Sequence, residues 1–446
     1  MIFENLRGVN ISEKIIIFLI LLIPIVLIFG PAIPNILRFL IIIIGCTILL
    51  NKINLKSFNN WYFFLFLLFC CYISIRSLTI FFEDGATIEN VLFSLKSSLF
   101  YFSYLIYSLV IAFTINKFEF IRLYISIIIF TIISLLLIDS IFQSLFLYNL
   151  LGMPIMSLGR ASSLFGDELI LGSYTVKLLP IAMLMSYYLF KEKTFNNIYF
   201  SFVLIGTSLI VLSGERSSFL LWILFNFLFL FYIKIRIRYL LILLFVFITT
   251  ITSVSMFKKI DILGGIYYRY VIELKYALTF KQSQKFKFFS RGHANHAEIA
   301  IKMAKDNILF GQGPNMFRKK CSKPDFFVKD GCTTHPHNIY LQLFAETGLV
   351  GAAYFTVLFT FLSWVYLRHI FKVVFNNKKS EINEQSNQFQ LMLIPIYLFL
   401  WPAITSGNFF NSWINNIYFL CLGIALSYII SSKEKNNEKR IYLVRE

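Results

Sequence analysis

Cys332-Thr333-Thr334-His335-Pro336-His337-Asn338 closes a polar stretch that begins at Met256, in a chain otherwise made of apolar runs. The stretch is roughly 80 residues long, far beyond an ordinary connection between packed elements. It is strongly basic and holds four of the protein's five histidines. Any chemistry is expected where this stretch meets the apolar runs on either side.

Those runs decide the fold class. Of the 446 residues, 58% are hydrophobic and 14% charged, whereas soluble domains carry about 25% charged residues. Scoring for apolar runs of about 17–25 residues predicts about twelve membrane spans. They lie near 14–30, 32–50, 60–80, 91–115, 120–143, 168–190, 197–213, 217–233, 239–256, 345–367, 389–405 and 412–430. The expectation is an all-α polytopic membrane protein with one long, partly helical insert between spans 9 and 10. The chain then divides into residues 1–256, the insert 257–337, residues 338–430 and a polar, frayed tail 431–446. The first run, Lys14 to Gly30, lacks a small-residue cleavage site and reads as a retained span.

Loop charge orients the spans. Arg7 and Lys14, Lys52 and Lys56, Lys117 and Arg122, Lys191 and Lys193, Lys234 to Arg238, Arg368 to Lys379 and Lys433 to Arg440 share one side. The alternate short connections carry only Arg160 and Arg216. Cytoplasmic loops hold the excess of Lys and Arg, so both termini are expected in the cytoplasm and the insert outside. Long segments cross largely regardless of charge, so the insert's lysines do not oppose this. The net charge of +18 therefore points to topology control and anionic lipid-linked ligands rather than nucleic acid. Within the spans, Arg38, Arg76 and Lys96 are expected to snorkel to an interface. Lys177, about two turns into its span, is expected to face a polar cavity.

Inside the insert, Ile266–Phe280 and His293–Asn307 have helix-like apolar spacing. Gly311-Gln312-Gly313-Pro314 reads as a turn, and Asn338 as the N-cap of the next helix, with His337 just before it. Cys321 and Cys332, close in sequence and in an oxidising compartment, favour a disulfide over a zinc site shared with His335 and His337. His293 and His296 read as solvated rather than metal-binding. Cys46, Cys70, Cys71 and Cys421 lie in spans as small buried hydrophobes.

Four polar clusters share the outside face in this topology. They are Gly159-Arg160 through Phe165-Gly166-Asp167-Glu168; Ser213-Gly214-Glu215-Arg216-Ser217-Ser218; Ser290-Arg291; and His335-Pro336-His337-Asn338. A Glu-Arg pair between two spans is costly unless it meets water or a ligand. Together with Gly311-Gln312-Gly313-Pro314-Asn315-Met316-Phe317 and Ala345-Glu346-Thr347-Gly348-Leu349-Val350-Gly351, these strings resemble the O-antigen ligase family, which includes many O-antigen polymerases. The stretch from Arg160 to Pro180 also resembles the family's loop-to-span segment. The first five spans match only in hydropathy.

The resemblance implies a glycan donor on undecaprenyl diphosphate, presented at the periplasmic side of a bacterial inner membrane. The acceptor would be lipid A-core in a ligase, or another lipid-linked glycan in a polymerase. A transporter of lipid-linked sugars is a third reading, disfavoured because it needs charges along a midplane path. Glycosyl transfer from a lipid diphosphate needs a base for the acceptor hydroxyl and positive charge for the leaving group. His337 suits the first task; Arg216 and Arg291 suit the second as bidentate phosphate ligands. By resemblance, His337 corresponds to the family's catalytic histidine and Arg216 to its turn arginine; the Arg291 match is looser. Arg160, Glu168, Lys177, Glu215, His335 and Asn338 are the expected substrate contacts. No cofactor or metal is expected.

Overall fold

The computed structural model describes residues 6–49, 61–83, 85–232, 237–256, 261–272, 275, 291–375 and 384–443. The regular structure among them is helical. The helices are α1 (Ile11–Val26), α2 (Ala32–Leu49), α3 (Trp61–Thr79), α4 (Ile88–Lys117), α5 (Ile121–Phe146), α6 (Leu171–Leu189), α7 (Glu192–Leu212), α8 (Arg216–Tyr232) and α9 (Ile237–Met256). The insert contributes α10 (Asp261–Tyr267), α11 (Arg291–Asp306) and α12 (Phe317–Lys320). The chain then returns through α13 (Ile339–Phe375), α14 (Glu384–Met392), α15 (Ile394–Phe399) and α16 (Ser412–Leu443).

Seven helices among the described residues are long and apolar enough to cross a membrane: Ile11–Phe29, Phe64–Phe82, Ile88–Lys117, Ile121–Phe146, Lys193–Leu212, Ile339–Phe375 and Ser412–Ile430. Ala32–Ile48, Arg216–Tyr232, Arg238–Thr250 and Gln388–Phe399 are shorter apolar helices. Helix α6 sits between its neighbours with Leu178, Ala182 and Met185 fully buried, and packs against α5 and α7. One continuous apolar core joins these helices, from Ile16 on α1 to Tyr428 on α16.

Several expectations change on folding. The predicted span 389–405 does not stay helical to its end. Helix α15 stops at Phe399, and the next helix starts only at Ser412. Pro402, Gly407, Asn408 and Asn411 crowd this gap, and such residues favour turns over helix. The last helix runs on to Leu443, past Ser431, where a frayed tail is expected. The expected helix Ile266–Phe280 is instead α10 followed by a π-helical turn, Tyr268–Ile272, and residues 276–280 lie outside the described residues. So do Lys52, Lys56, Lys234, Arg236, Lys378 and Lys379 of the charge pattern.

Arg76 does not snorkel. It is buried, pairs with Glu83, and donates from Nε to the Phe310 carbonyl at 3.0 Å and from Nη2 to that of Gly311 at 2.6 Å. It therefore ties α3 to the insert's glycine turn. Arg38 is likewise buried, its guanidinium 4.0 Å from the centre of the Tyr104 ring, a cation–π contact favoured where water is excluded. Lys96 is exposed.

The insert sits on the start of α13. Ile299, Met303, Phe317, Cys321, Phe326 and Ala345 form a small core of their own. Gln312 N donates to the Ala345 carbonyl and Gly313 N to that of Glu346, each at 2.8 Å. Gly348 breaks the helix at φ 65°, ψ −164°; a Cβ there would lie 2.2 Å from the Leu309 carbonyl oxygen. Only glycine tolerates both that backbone region and that approach.

Candidate functional site

The first half of the site is a backbone junction. Leu212 ends α7, Arg216 begins α8, and Ser213-Gly214-Glu215 turn between them. Ala161 N donates to the Leu212 carbonyl at 2.9 Å, laying the loop before α6 against this turn. A Cβ on Gly214 would lie 2.3 Å from the Gly159 carbonyl oxygen, and one on Gly159 would lie 2.4 Å from the carbonyl carbon of Gly265. Three segments thus meet with no side chain between them. Each brings an arginine: Arg160, Arg216 and Arg269.

Arg269 donates from Nε to the Gly214 carbonyl at 3.0 Å. Arg160 donates from Nη2 to the Leu169 carbonyl at 3.3 Å, while its buried Nε has no partner among the described residues. Burial, then repulsion from Arg269 and more weakly from Arg216, push the Arg160 pKa down; Glu215 opposes this. Arginines gathered beside the Glu215 carboxylate leave a surplus of positive charge that favours a bound anion. An incoming anionic ligand would accept the orphaned hydrogen bond.

Glu215 is occupied otherwise. Its carboxylate accepts from Gly172 N at 2.7 Å, Ser173 N at 3.0 Å and the Ser218 hydroxyl at 3.0 Å. It caps the free N–H groups and positive dipole end of α6. The two members of the pair differ: Glu215 holds two spans together, while the charge of Arg216 acts on Arg160 and His293.

The second half is a cluster of imidazoles. Helix α11 presents His293 and His296, three residues apart and hence on one face. The His337 ring centre lies 5.4 Å from His293, 5.3 Å from His296 and 4.2 Å from His335. The reading of His293 and His296 as solvated is therefore replaced by half-buried rings facing His337. The Cys321–Cys332 disulfide, with Cα atoms 5.3 Å apart, fastens the loop that delivers His335 and His337. Among the described residues, no set of three or more His, Cys, Asp or Glu side chains is disposed to hold a metal ion.

Ring partners distinguish the histidines. His335 Nε2 lies 3.3 Å from the Ser406 carbonyl, and a carbonyl only accepts, so this nitrogen carries the proton. Its Nδ1 then accepts from the Thr334 hydroxyl at 2.9 Å. Burial lowers the His335 pKa to about 4, so the ring stays neutral and both nitrogens are committed. His296 donates from Nδ1 to the Gly331 carbonyl at 2.8 Å. Burial, reinforced by His335, His293 and His296, lowers the His337 pKa to about 3, which keeps the ring neutral. His293 is lowered by burial, by His296 and by the charge of Arg216. That last influence joins the arginine half to the histidine half.

The backbone of His337 is held from the irregular 400–411 segment. His337 adopts φ 54°, a left-handed conformation that histidine enters more readily than most residues, and its carbonyl accepts from Ser406 N at 2.9 Å. Asn338 accepts from Tyr340 N and Leu341 N, both at 3.1 Å, as the N-cap of α13, and donates to the Pro402 carbonyl at 2.8 Å. The Ser217 hydroxyl meets that of Thr405 at 2.5 Å. A cavity of about 30 Å³, lined by His293, His337, Asn338, Leu341 and Thr405 among others, opens beside these groups. It has room for a water or an acceptor hydroxyl, not a whole sugar.

The structure thus brings together His337, Arg216, Arg160 and His335, and adds His293, His296 and Arg269. Arg269 escaped the sequence reading because it lies in an apparent amphipathic helix with nothing to mark its turn toward Gly214. Arg291 begins α11, two residues before His293; its side chain lies outside the described residues. Lys177 lies inside the bundle, with Nζ 3.4 Å from the Ser173 carbonyl and 6.0 Å from the Trp413 ring centre. Glu168 is exposed on the loop before α6. Glu215 and Asn338 have their polar atoms engaged within the protein.

No curated protein matches the chain. The family model described as O-antigen ligase matches residues 200–356. This match spans the Ser213–Ser217 turn, the insert and the histidines, and it supports a likeness to the O-antigen ligase family over those residues.

Proposed function

We propose that the protein is a glycosyltransferase that takes a glycan from undecaprenyl diphosphate at the periplasmic face of a bacterial inner membrane, with both termini cytoplasmic. The observation that carries this reading is the meeting of the two clusters: Ser217, next to Arg216, bonds Thr405, and Ser406 beside it holds the His337 carbonyl. A neutral imidazole beside a cationic pocket suits an acceptor hydroxyl attacking a sugar that leaves a diphosphate. His337 removes the hydroxyl proton as the oxygen bonds to the anomeric carbon. The bond to the diphosphate oxygen breaks, and the leaving group departs with its electron pair into Arg216, Arg160 and Arg269, with Arg291 as a further cation assigned from the sequence. Guanidinium groups supply the charge that a metal ion would otherwise bring, so transfer proceeds without one.

With lipid A-core as acceptor, the choice suggested by the family's description alone, the protein would act as a ligase. A polymerase would pass the glycan to a second lipid-linked repeat unit with the same donor and the same residues. Purified protein given the lipid-linked donor and each acceptor in turn, with a chelator present, tests the reading. Transfer that survives the chelator and is lost in His337→Ala supports it; transfer abolished by the chelator alone, or unchanged in His337→Ala, overturns it.

A further inference from the structure

Between Asp139 and Arg160 the chain carries no charged residue. Its second part, from Leu147 to Leu158, leaves α5 and folds back as a small hairpin. An antiparallel bridge joins Tyr148 to Pro154, and a second joins Ser157 to Arg160. The tip turns its apolar side chains out. Leu150 is 59% exposed and Leu151 68%, with Tyr148, Met153, Met156 and Leu158 also exposed. An apolar patch of this kind in water is unfavourable and marks a contact surface.

The backbone of the hairpin tells what covers it. Asn149, buried, accepts with Oδ1 from Leu151 N at 3.0 Å and Met153 N at 2.8 Å, and donates from Nδ2 to the Ser163 carbonyl at 2.9 Å. Asp139, also buried, accepts from Leu150 N at 2.8 Å and from the Ser163 hydroxyl. Asn149 N bonds to the Met153 carbonyl at 2.8 Å and Ile155 N to that of Leu147 at 2.7 Å. The N–H groups from Asn149 to Met153 are satisfied internally, and the exposed side chains are apolar except for the Tyr148 hydroxyl. Apolar side chains turned outward over a backbone bonded inward suit a segment lying at the headgroup–acyl boundary of a membrane.

Position argues the same way. On α5, a helix long and apolar enough to span, Leu135, Ile138, Ile141 and Leu145 are exposed at spacings that keep them on one face. That face runs directly into the hairpin. At its other end the hairpin stops at Gly159-Arg160, the arginine junction.

We infer that the Leu147–Leu158 hairpin lies at the membrane surface on the insert's side, its apolar tip side chains at the headgroup–acyl boundary, and so fixes Arg160 at headgroup depth. A diphosphate on a membrane-embedded carrier would then meet the arginines without leaving its leaflet. The lipid contact stands on the exposure, bonding and continuity above; only its purpose rests on the arginines binding a diphosphate.

The test places the photoreactive residue p-benzoylphenylalanine at Leu151 of the full chain in phospholipid nanodiscs. Ile138 serves as the lipid-facing control and exposed Lys305 as the aqueous one. Lipid adducts at Leu151 approaching those at Ile138, and absent at Lys305, are expected by mass spectrometry. A crosslink from Leu151 to a second copy of the chain, or no adduct where Ile138 gives one, overturns the inference. Coincident size-exclusion profiles with the unlabelled protein show that each variant is folded. The readout needs no transferase activity, so failure of the proposed reaction and failure of the lipid contact are separate results.

Discussion

Two regions of the return path stand a few residues apart and are built in opposite ways. Around Glu346 every polar atom is matched. Its carboxylate accepts from Phe317 N at 2.8 Å and from Gln342 Nε2 at 2.9 Å, while Gln342 also donates to Asn408 and accepts from Phe409 N, each at 2.8 Å. Around His337 the groups are half-open: three imidazoles crowd a fourth, and a cationic neighbour acts on one of them. The motif strings containing Glu346 and His337 are equally conspicuous in sequence. Saturated hydrogen bonding and full burial mark the first as scaffold, since nothing is left over to meet a ligand. Imidazoles of lowered pKa gathered at a cavity mark the second as a place for chemistry.

The largest effect should come from the scaffold. Gly348→Ala places a methyl group against the Leu309 carbonyl in a left-handed backbone, where strain alone costs about 1–3 kcal/mol and the clash adds to it. Folded yield by size-exclusion chromatography in detergent should collapse. Normal yield would show that the α13 break is not needed, and would blur the contrast between the two regions.

His337→Ala should do the reverse. Transfer should fall by roughly a hundredfold or more while the melting temperature barely moves. A large drop in melting temperature with matching loss of transfer would make His337 part of the scaffold instead. His335, with both nitrogens committed, should behave between the two: His335→Ala should lower stability and transfer together.

Within the arginine junction, Arg216→Lys should lower transfer by about tenfold or more, because lysine lacks the planar fork that grips two phosphate oxygens. Arg269→Lys should be milder, since its Nε is engaged by Gly214. Equal and small effects in both, read from transfer rates at saturating and limiting donor, would remove the diphosphate role from this junction.

The smallest effect is in pH. His335 and His337 titrate at about 4 and about 3 in the folded protein, against about 6.5 in an unfolded chain. Below pH 6.5 the unfolded state gains protons that the folded state refuses, so stability falls as pH drops toward 4 and is restored above 6.5. Thermal unfolding at pH 7 and pH 5 should show this decline, and His335→Asn should reduce it. An unchanged slope in that variant would place the burden on other groups.

Much of this was legible in residue order. Apolar runs located the helices, because a span must be apolar for its whole length and satisfy its own backbone. The His-Pro-His-Asn string, its helix cap and the neighbouring cysteines could be named from local chemistry. The end of α15 at Phe399 was missed, because Pro402 and Gly407 were outweighed by the apolar residues around them.

What the sequence could not decide is which polar residues look outward and which look at one another. Glu215 and Arg216 are adjacent in the chain, yet the first caps α6 and the second joins the cations, because α6 happens to begin where Glu215 points. His293 and His296 carry no local sign of purpose until α11 lays them against His337. Arg269 becomes part of the junction only because Gly159, Gly214 and Gly265 let three backbones touch. Local composition fixes the medium in which a segment is stable; which charges meet is set by long-range packing, through contacts between residues tens to more than a hundred positions apart.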